Sequence, residues 1–216
     1  MCSRAFRITI LPVLLLLAGC SATDLVNALV PETGFRVVKD LQYGDKTRQK
    51  LDLYIPDTPD DDLPIIVFFY GGNWQRGVKE DYLFAAEAFA SRGYITAIPD
   101  YRLYPDVRFP AFLEDAAAAV DWLRNHSDRE ATRGKPVYLV GHSAGAYIAT
   151  MLALDPRWLA ASGNGVCDTV AAAVGLAGPY DFLPLKSEAL KDIFGPRRAR
   201  ATTQPIHFAD GKNAPP

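Results

Sequence analysis

The stretch "PVYLVGHSAGAYIATMLAL" (136–154) decides how the rest of the chain is read. Its first part, VYLV (137–140), is apolar-leaning with valine at both ends, the composition of a strand buried on both faces. From Ala144 onward alanine and leucine dominate until Pro156, which marks a helix and its stop. Between the two lies Gly141-His142-Ser143-Ala144-Gly145. G-x-S-x-G at a strand-to-helix junction reads as a sharp turn that lifts a serine hydroxyl above the strand ends. Glycine two residues to either side leaves room for the close backbone approach such a turn needs. The hydroxyl then sits at a helix N-terminus, where unpaired N–H groups favour developing negative charge. Ser143 is therefore the candidate nucleophile. The plainer alternative is a Gly-Ser turn with no chemistry.

The surrounding pattern supports a strand-and-helix setting. "FRVVKDLQY" (35–43) and "QKLDLYI" (49–55) alternate with period two around "GDKTR", which predicts an antiparallel hairpin. "IIVFFY" (65–70) and "YITAIPDY" (94–101) read as buried strands, with a helix over 80–92 between them. "PAFLEDAAAAVDWLRNH" (110–126) reads as a helix with Phe112, Ala116, Ala119, Val120 and Leu123 on one face. "TVAAAVGLAG" (169–178) suggests a further strand and "SEALKDIF" (187–194) a short helix. Strands alternating with helices predict an α/β domain: a mostly parallel sheet with helices on both faces, led by an antiparallel hairpin. "PDTPDDDLP" (56–64), with Asp60, Asp61 and Asp62, reads as a solvated loop rather than a metal site.

The chain has 216 residues, room for one domain with a substantial core. A formal charge of −2 gives no reason to expect nucleic acid as a partner. Nothing has metal-ligand spacing, and no cofactor is expected. Cysteines stand only at 2, 20 and 167, which is not a disulfide framework. Arg4 and Arg7 precede the apolar run "ITILPVLLLLAG", which reads as a secretory signal over 1–19. "LAGC" (17–20) resembles the bacterial lipobox, which implies lipidation of Cys20 and a tether over 20–34. The expected location is the cell envelope, lipid-anchored at the outer membrane and facing the periplasm. The folded domain is expected over 35–216, with Cys167 as a small core residue.

A second chemical element follows the "IIVFFY" strand: "FFYGGNWQRG" (68–77). Acyl transfer needs N–H donors aimed at the developing oxyanion. One comes from Ala144, the residue after the nucleophile, and another from the loop opened by Gly71-Gly72. Taken together, these pieces resemble the α/β-hydrolase fold serine carboxylesterases. The similarity is greatest to the group that includes feruloyl-esterase-like domains, hormone-sensitive-lipase-like esterases and kynurenine formamidases. "YGGNW" (70–74) stands where that group has H-G-G-G-W. "PDYRLYPDVRFPAFLEDAAAAVDWL" (99–123), "GHSAG" and "GLAGPYDF" (175–182) match its other blocks in order. The resemblance implies oxyanion donors at Gly72, Asn73 and Ala144. Tyr70 replaces the family histidine and Asn73 its third glycine, and neither change removes a backbone N–H. Asp100, Arg102 and Asp115 belong to the shared block and read as ion-pair or turn residues. Trp74 can shape a substrate pocket or fill core.

A serine nucleophile needs a histidine base oriented by a carboxylate, in the chain order Ser, Asp or Glu, His. Three histidines exist, at 126, 142 and 207. His126 precedes the serine at a helix end, and His142 is its neighbour, with its ring expected to point elsewhere. His207 follows Ser143, but "QPIHFADGKNAPP" (204–216) resembles the segment leading into the family's seventh strand. His207 therefore reads as a loop residue, and the set Ser143, Asp181 and His207 is the minor alternative. The triad acid and base are expected beyond residue 216. A chain lacking the last two strands would expose a sheet edge, dissolve poorly and hydrolyse esters weakly. Three functions follow: a carboxylesterase for small or aromatic esters acting through an acyl-enzyme on Ser143, a formamidase of the same fold, or a non-catalytic remnant that only binds. The first two use the same parts and take a small-molecule ester or amide, with membrane contact through the lipid anchor only.

Overall fold

The computed structural model describes residues 22–58, 65–125, 132, 135–160, 165–211 and 215. The secretory signal, Cys20, Asp60 to Asp62 and His126 lie outside them. Six strands form one sheet: β1 (Phe35–Gln42), β2 (Lys50–Pro56), β3 (Ile65–Phe69), β4 (Thr96–Pro99), β5 (Val137–His142) and β6 (Val170–Leu176). Their order across the sheet is β1-β2-β4-β3-β5-β6. β1 pairs antiparallel with β2, and β2 antiparallel with β4. From β4 through β3 and β5 to β6 every pairing is parallel. This is the mixed sheet led by a hairpin that the alternating pattern predicts. The strands of the parallel half read as continuous apolar runs because both their faces are covered. All five residues of β3 are buried, and Ile65, Val67 and Phe69 have no exposed surface.

The helices are α1 (Ala22–Asn27), α2 (Leu83–Ala90), α3 (Ala111–Asn125), α4 (Ala144–Leu154), α5 (Val166–Thr169) and α6 (Glu188–Ile193). α2 packs against β2, β3 and β4, while α4 packs against β3, β5 and β6 with α3 alongside it. Phe112, Ala116, Ala119, Val120 and Leu123 of α3 are all buried, as their helical spacing predicts. α4 is apolar nearly all round because it lies between the sheet and α3. Its alanines, Ala144, Ala146 and Ala149, let the helix approach the strands closely.

Several boundaries differ from the expectation, each for a physical reason. The β4 strand stops at Pro99, because Asp100 and Tyr101 turn their polar groups to the neighbouring loop. The helix expected over 80–92 begins as a 3₁₀ turn (Lys79–Tyr82) and is α-helical only over Leu83–Ala90. The strand expected over 169–178 is preceded by the single turn α5. That turn buries Val166 and Thr169 and leaves Cys167 exposed, which corrects its placement in the core. Part of the expected tether is folded onto the domain. Asn27 accepts the Phe84 N–H (3.1 Å) and donates to the Glu80 carbonyl (3.0 Å), fastening α1 to the start of α2.

The two ends of the sheet are unlike. β1 lies outside β2, whereas β6 is the outer strand of the parallel half and exposes Val174 (47%) and Leu176 (50%). Below the site, Arg102 grips the fully buried Asp115 with Nε and Nη2 at 2.7–3.0 Å, and Gln49 adds a bond of 2.7 Å. A buried carboxylate persists only when its lone pairs are met in this way. The block containing Arg102 and Asp115 is therefore structural, as expected.

Candidate active site

Ser143 stands between β5 and α4 with φ 54° and ψ −116°. A non-glycine residue in this region costs about 1–3 kcal/mol and persists only where its surroundings leave no other choice. The surroundings here are backbone. A Cβ on Gly145 would lie 1.9 Å from the Phe69 carbonyl oxygen, and one on Gly141 would lie 2.1 Å from that of Gly145. The two glycines thus allow strand, turn and helix to interlock. Serine at a helix start ordinarily caps it with its hydroxyl. Ser143 makes no such cap, so its Oγ is left for other work. Its own N–H donates to the Leu176 carbonyl of β6 at 2.8 Å.

The loop after β3 faces the elbow. A Cβ on Gly71 would be 3.0 Å from Ser143 Cβ, and the two residues share a cleft of about 310 Å³ with Gly72, Asn73, Arg76 and Tyr82. The loop takes unusual backbone angles: φ is 132° at Gly72, 56° at Asn73 and 59° at Trp74. Only glycine fits position 72, where a Cβ would lie 2.0 Å from the Arg76 carbonyl oxygen. Gln75 and Arg76 both donate their N–H to Gly72 O, closing the turn. The Gly71 N–H is taken by Tyr82 Oη at 3.3 Å. Among the described residues, the N–H groups of Gly72, Asn73 and Ala144 have no hydrogen-bond acceptor. Unpaired donors on a cleft wall beside a serine hydroxyl can receive a negatively charged oxygen.

This geometry coincides with a match of residues 51–208 to a single family, BD-FAE. The chain belongs to the BD-FAE family. It is 32% identical over 153 residues to the isoprenylcysteine alpha-carbonyl methylesterase of Arabidopsis thaliana, covering 69% of this chain and 36% of that protein. It is 30% identical over 149 residues to the kynurenine formamidase of Salmo salar, covering 68% and 48%. The chain thus spans between about a third and a half of these curated relatives' length. Among solved structures, esterase B from Lactobacillus rhamnosis superposes with a TM-score of 0.75 at 22% identity, covering 94% of this chain and 72% of that one. That likeness shows the shared α/β-hydrolase fold.

The histidines of this BD-FAE chain are placed as follows. His142 is exposed, and its Nδ1 lies 3.0 Å from where a Cβ on Gly71 would be. Its ring therefore borders the Ser143 cleft rather than turning away from it, yet among the described residues it makes no hydrogen bond to Ser143. His207 lies in the 3₁₀ turn Pro205–Phe208, exposed, with its ring edge-on to Phe208. Among the described residues Asp181 is not bonded to it. Trp74 is core: it is 3% exposed and packed edge-on against Tyr147 and Phe194 at ring distances of 5.1 and 4.9 Å. Among the described residues, no group of three His, Cys, Asp or Glu is placed to hold a metal ion.

Three residues outside the catalytic motifs bear on the loop: Tyr82 and Arg48, which the sequence did not single out, and Asp100, read there as an ion-pair or turn residue. Tyr82 closes the cleft and bonds Gly71, and burial raises its hydroxyl pKa, so it stays protonated. Asp100 accepts from Tyr70 Oη (2.6 Å) and from the Lys79 N–H (3.0 Å). Burial raises its pKa, against the pull of Tyr70 and Arg48. Arg48, in the hairpin turn, reaches Tyr70, Gly77, Asp100 and Tyr101. The available signal was Tyr70 at the end of an apolar strand, because a buried phenol needs a partner.

Proposed function

We propose that the chain is part of a serine hydrolase that cleaves carboxylic esters of small or aromatic compounds, with Ser143 as the nucleophile. The observation that carries this reading is the strained, uncapped Ser143 sharing one cleft with Gly72 and Asn73, whose N–H groups, like that of the adjacent Ala144, have no acceptor among the described residues. Ser143 Oγ attacks the ester carbonyl, and the tetrahedral oxyanion is received by the N–H groups of Gly72, Asn73 and Ala144. The proton drawn from Ser143 passes to the leaving oxygen, which departs as the alcohol, and water later releases the acid from the acyl-serine. A histidine outside the contacts described above takes the serine proton. A serine-directed fluorophosphonate should label Ser143 in the purified protein, and hydrolysis of p-nitrophenyl acetate should vanish in Ser143→Ala. Unaltered hydrolysis in that variant would sink the reading.

The formamidase relative favours a second reading, cleavage of an N-formyl amide by the same parts. Comparing N-formylkynurenine with aryl esters separates the two. We also propose that Cys20 carries lipid and anchors the protein to the envelope, as "LAGC" suggests. Cys20→Ala should move the protein from the membrane fraction to the soluble one. A protein that remains membrane-bound, or whose mature N-terminus is not Cys20, would refute the anchor.

A further inference from the structure

We propose that Arg48 is a positioning residue for the loop 71–77, holding its N–H donors toward the carbonyl that Ser143 attacks. The inference rests on the hydrolase reading above and concerns a residue outside the span 51–208 that matches the family.

Arg48 lies in the turn between β1 and β2, where charged residues usually serve solubility. Among the described residues, none of its side-chain bonds is made within the hairpin. Its Nη2 donates to Gly77 O at 2.7 Å and to Tyr70 Oη at 2.8 Å, and its Nε donates to Tyr101 O at 2.8 Å. Nη2 also lies 3.4 Å from Asp100 Oδ1. Tyr70 immediately precedes the loop, and Gly77 is its last residue. One guanidinium therefore ties together the two stems of the loop. Asp100 reinforces the same junction, since its Oδ1 accepts from Tyr70 Oη and from the Lys79 N–H. Tyr101 completes it by donating its hydroxyl to Tyr70 O at 2.7 Å.

The loop needs such a junction. Asn73 and Trp74 both sit at positive φ, a conformation that relaxes unless the surroundings over-determine it. Within the loop, Gly72 O accepts from the Gln75 and Arg76 N–H groups, and the Gln75 side chain adds a longer bond to Asn73 O at 3.3 Å. The far side is fixed by the packing of Trp74 and by the Tyr104 N–H, which donates to Trp74 O at 2.8 Å. The near side depends on Arg48. A planar fork can serve several acceptors at fixed angles, and a lysine ammonium cannot reproduce that arrangement. Tyr70 fits the same logic. Its hydroxyl accepts from Arg48 while donating to Asp100, which links a cation to a carboxylate through one phenol.

The test uses Arg48→Ala and Arg48→Lys in the full chain. The amide signals of Gly72 and Asn73, read by ¹H–¹⁵N spectroscopy in the Ser143→Ala background, should shift or broaden in both variants. The denaturant midpoint should stay near that of the parent. In the protein with Ser143 intact, kcat for p-nitrophenyl acetate should fall about tenfold with KM little changed, less than the roughly 10²–10³-fold cost of losing an oxyanion donor outright. Added guanidinium at low concentration, matched against sodium chloride, should restore part of both readouts for Arg48→Ala and neither for Arg48→Lys. Unmoved amides overturn the proposal. So does a loss of kcat that follows a loss of stability and shows no guanidinium rescue. If the protein turns over no ester even with its triad base present, the hydrolase reading fails by itself, while the amide signals and their rescue still decide the role of Arg48.

Discussion

The elbow at Ser143 and the loop at Gly71 to Gly77 are both strained, but they are held by different means. The elbow is kept in place almost entirely by backbone close to it in the chain or in the adjoining strand: Gly141 against Gly145, Gly145 against Phe69, and Ser143 N–H on Leu176. The loop is held by side chains that arrive from far along the sequence. Arg48, Asp100 and Tyr101 fasten its stems, and the rings around Trp74 fasten its crest. Backbone-held strain yields to the addition of a single atom. Side-chain-held strain yields to removal. The two halves of the site should therefore fail under opposite kinds of substitution.

The largest effect should come from adding one methyl at the elbow. Gly145→Ala places a Cβ against a backbone oxygen at 1.9 Å, and neither can move without parting β3 from α4. The expected loss exceeds about 4 kcal/mol, at the extreme end for a single substitution. Chemical denaturation reads it, and a midpoint near the parent's would show that the elbow is softer than its packing implies. The loop should break by deletion instead. Trp74→Ala removes a buried indole from between Tyr147 and Phe194 and should cost about 3 kcal/mol. Because the loop also loses its crest, turnover should fall further than the stability loss explains, and kinetics below the unfolding transition would show it. Equal effects on stability and turnover would mean that Trp74 is only core.

The smallest effect concerns charge. Asp100 has its pKa raised in the folded protein, chiefly by burial, while Tyr70 and Arg48 pull it back toward the ordinary value. The folded state therefore holds this proton more tightly than the unfolded one. Its contribution to stability is fully present below the ordinary carboxylate range and is lost as pH rises through the raised value. Asp100→Asn should flatten that part of the profile while keeping an acceptor for Tyr70. Denaturation midpoints across the acidic range decide the matter, and a slope identical in both proteins would exclude Asp100 as its source.

The same contrast explains what was readable in the sequence. The elbow is local, so its pattern shows in five consecutive letters, and the strand and helix beside it show in their apolar runs. The hairpin and α3 were legible because one-sided burial imposes a period, and β3 because burial on both faces leaves a continuous apolar run. The role of Arg48 was not legible, since "GDKTR" looks like any polar turn and its partners lie in residues 70–101. The early end of β4 had the same cause. Asp100 and Tyr101 continue an apolar strand in sequence, while in space their polar groups serve the loop. Cys167 was misjudged because a one-turn helix has no period to read, so nothing in the sequence told its inner side from its outer. The placement of Trp74 in the core needed partners as distant as Phe194.

The hydrogen bond from Ser143 N–H to Leu176 O carries a further consequence. Leu176 ends β6, which among the described residues pairs only with β5 and is half-exposed at Val174 and Leu176. Edge segments with few buried contacts open before a core does. Among the described residues, the turn that carries Ser143 is thus hydrogen-bonded to an outer strand of the sheet as well as packed against β3. The amide of Ser143 should therefore report the opening of β6, and its hydrogen exchange, compared with that of β3, is the clock that reads it.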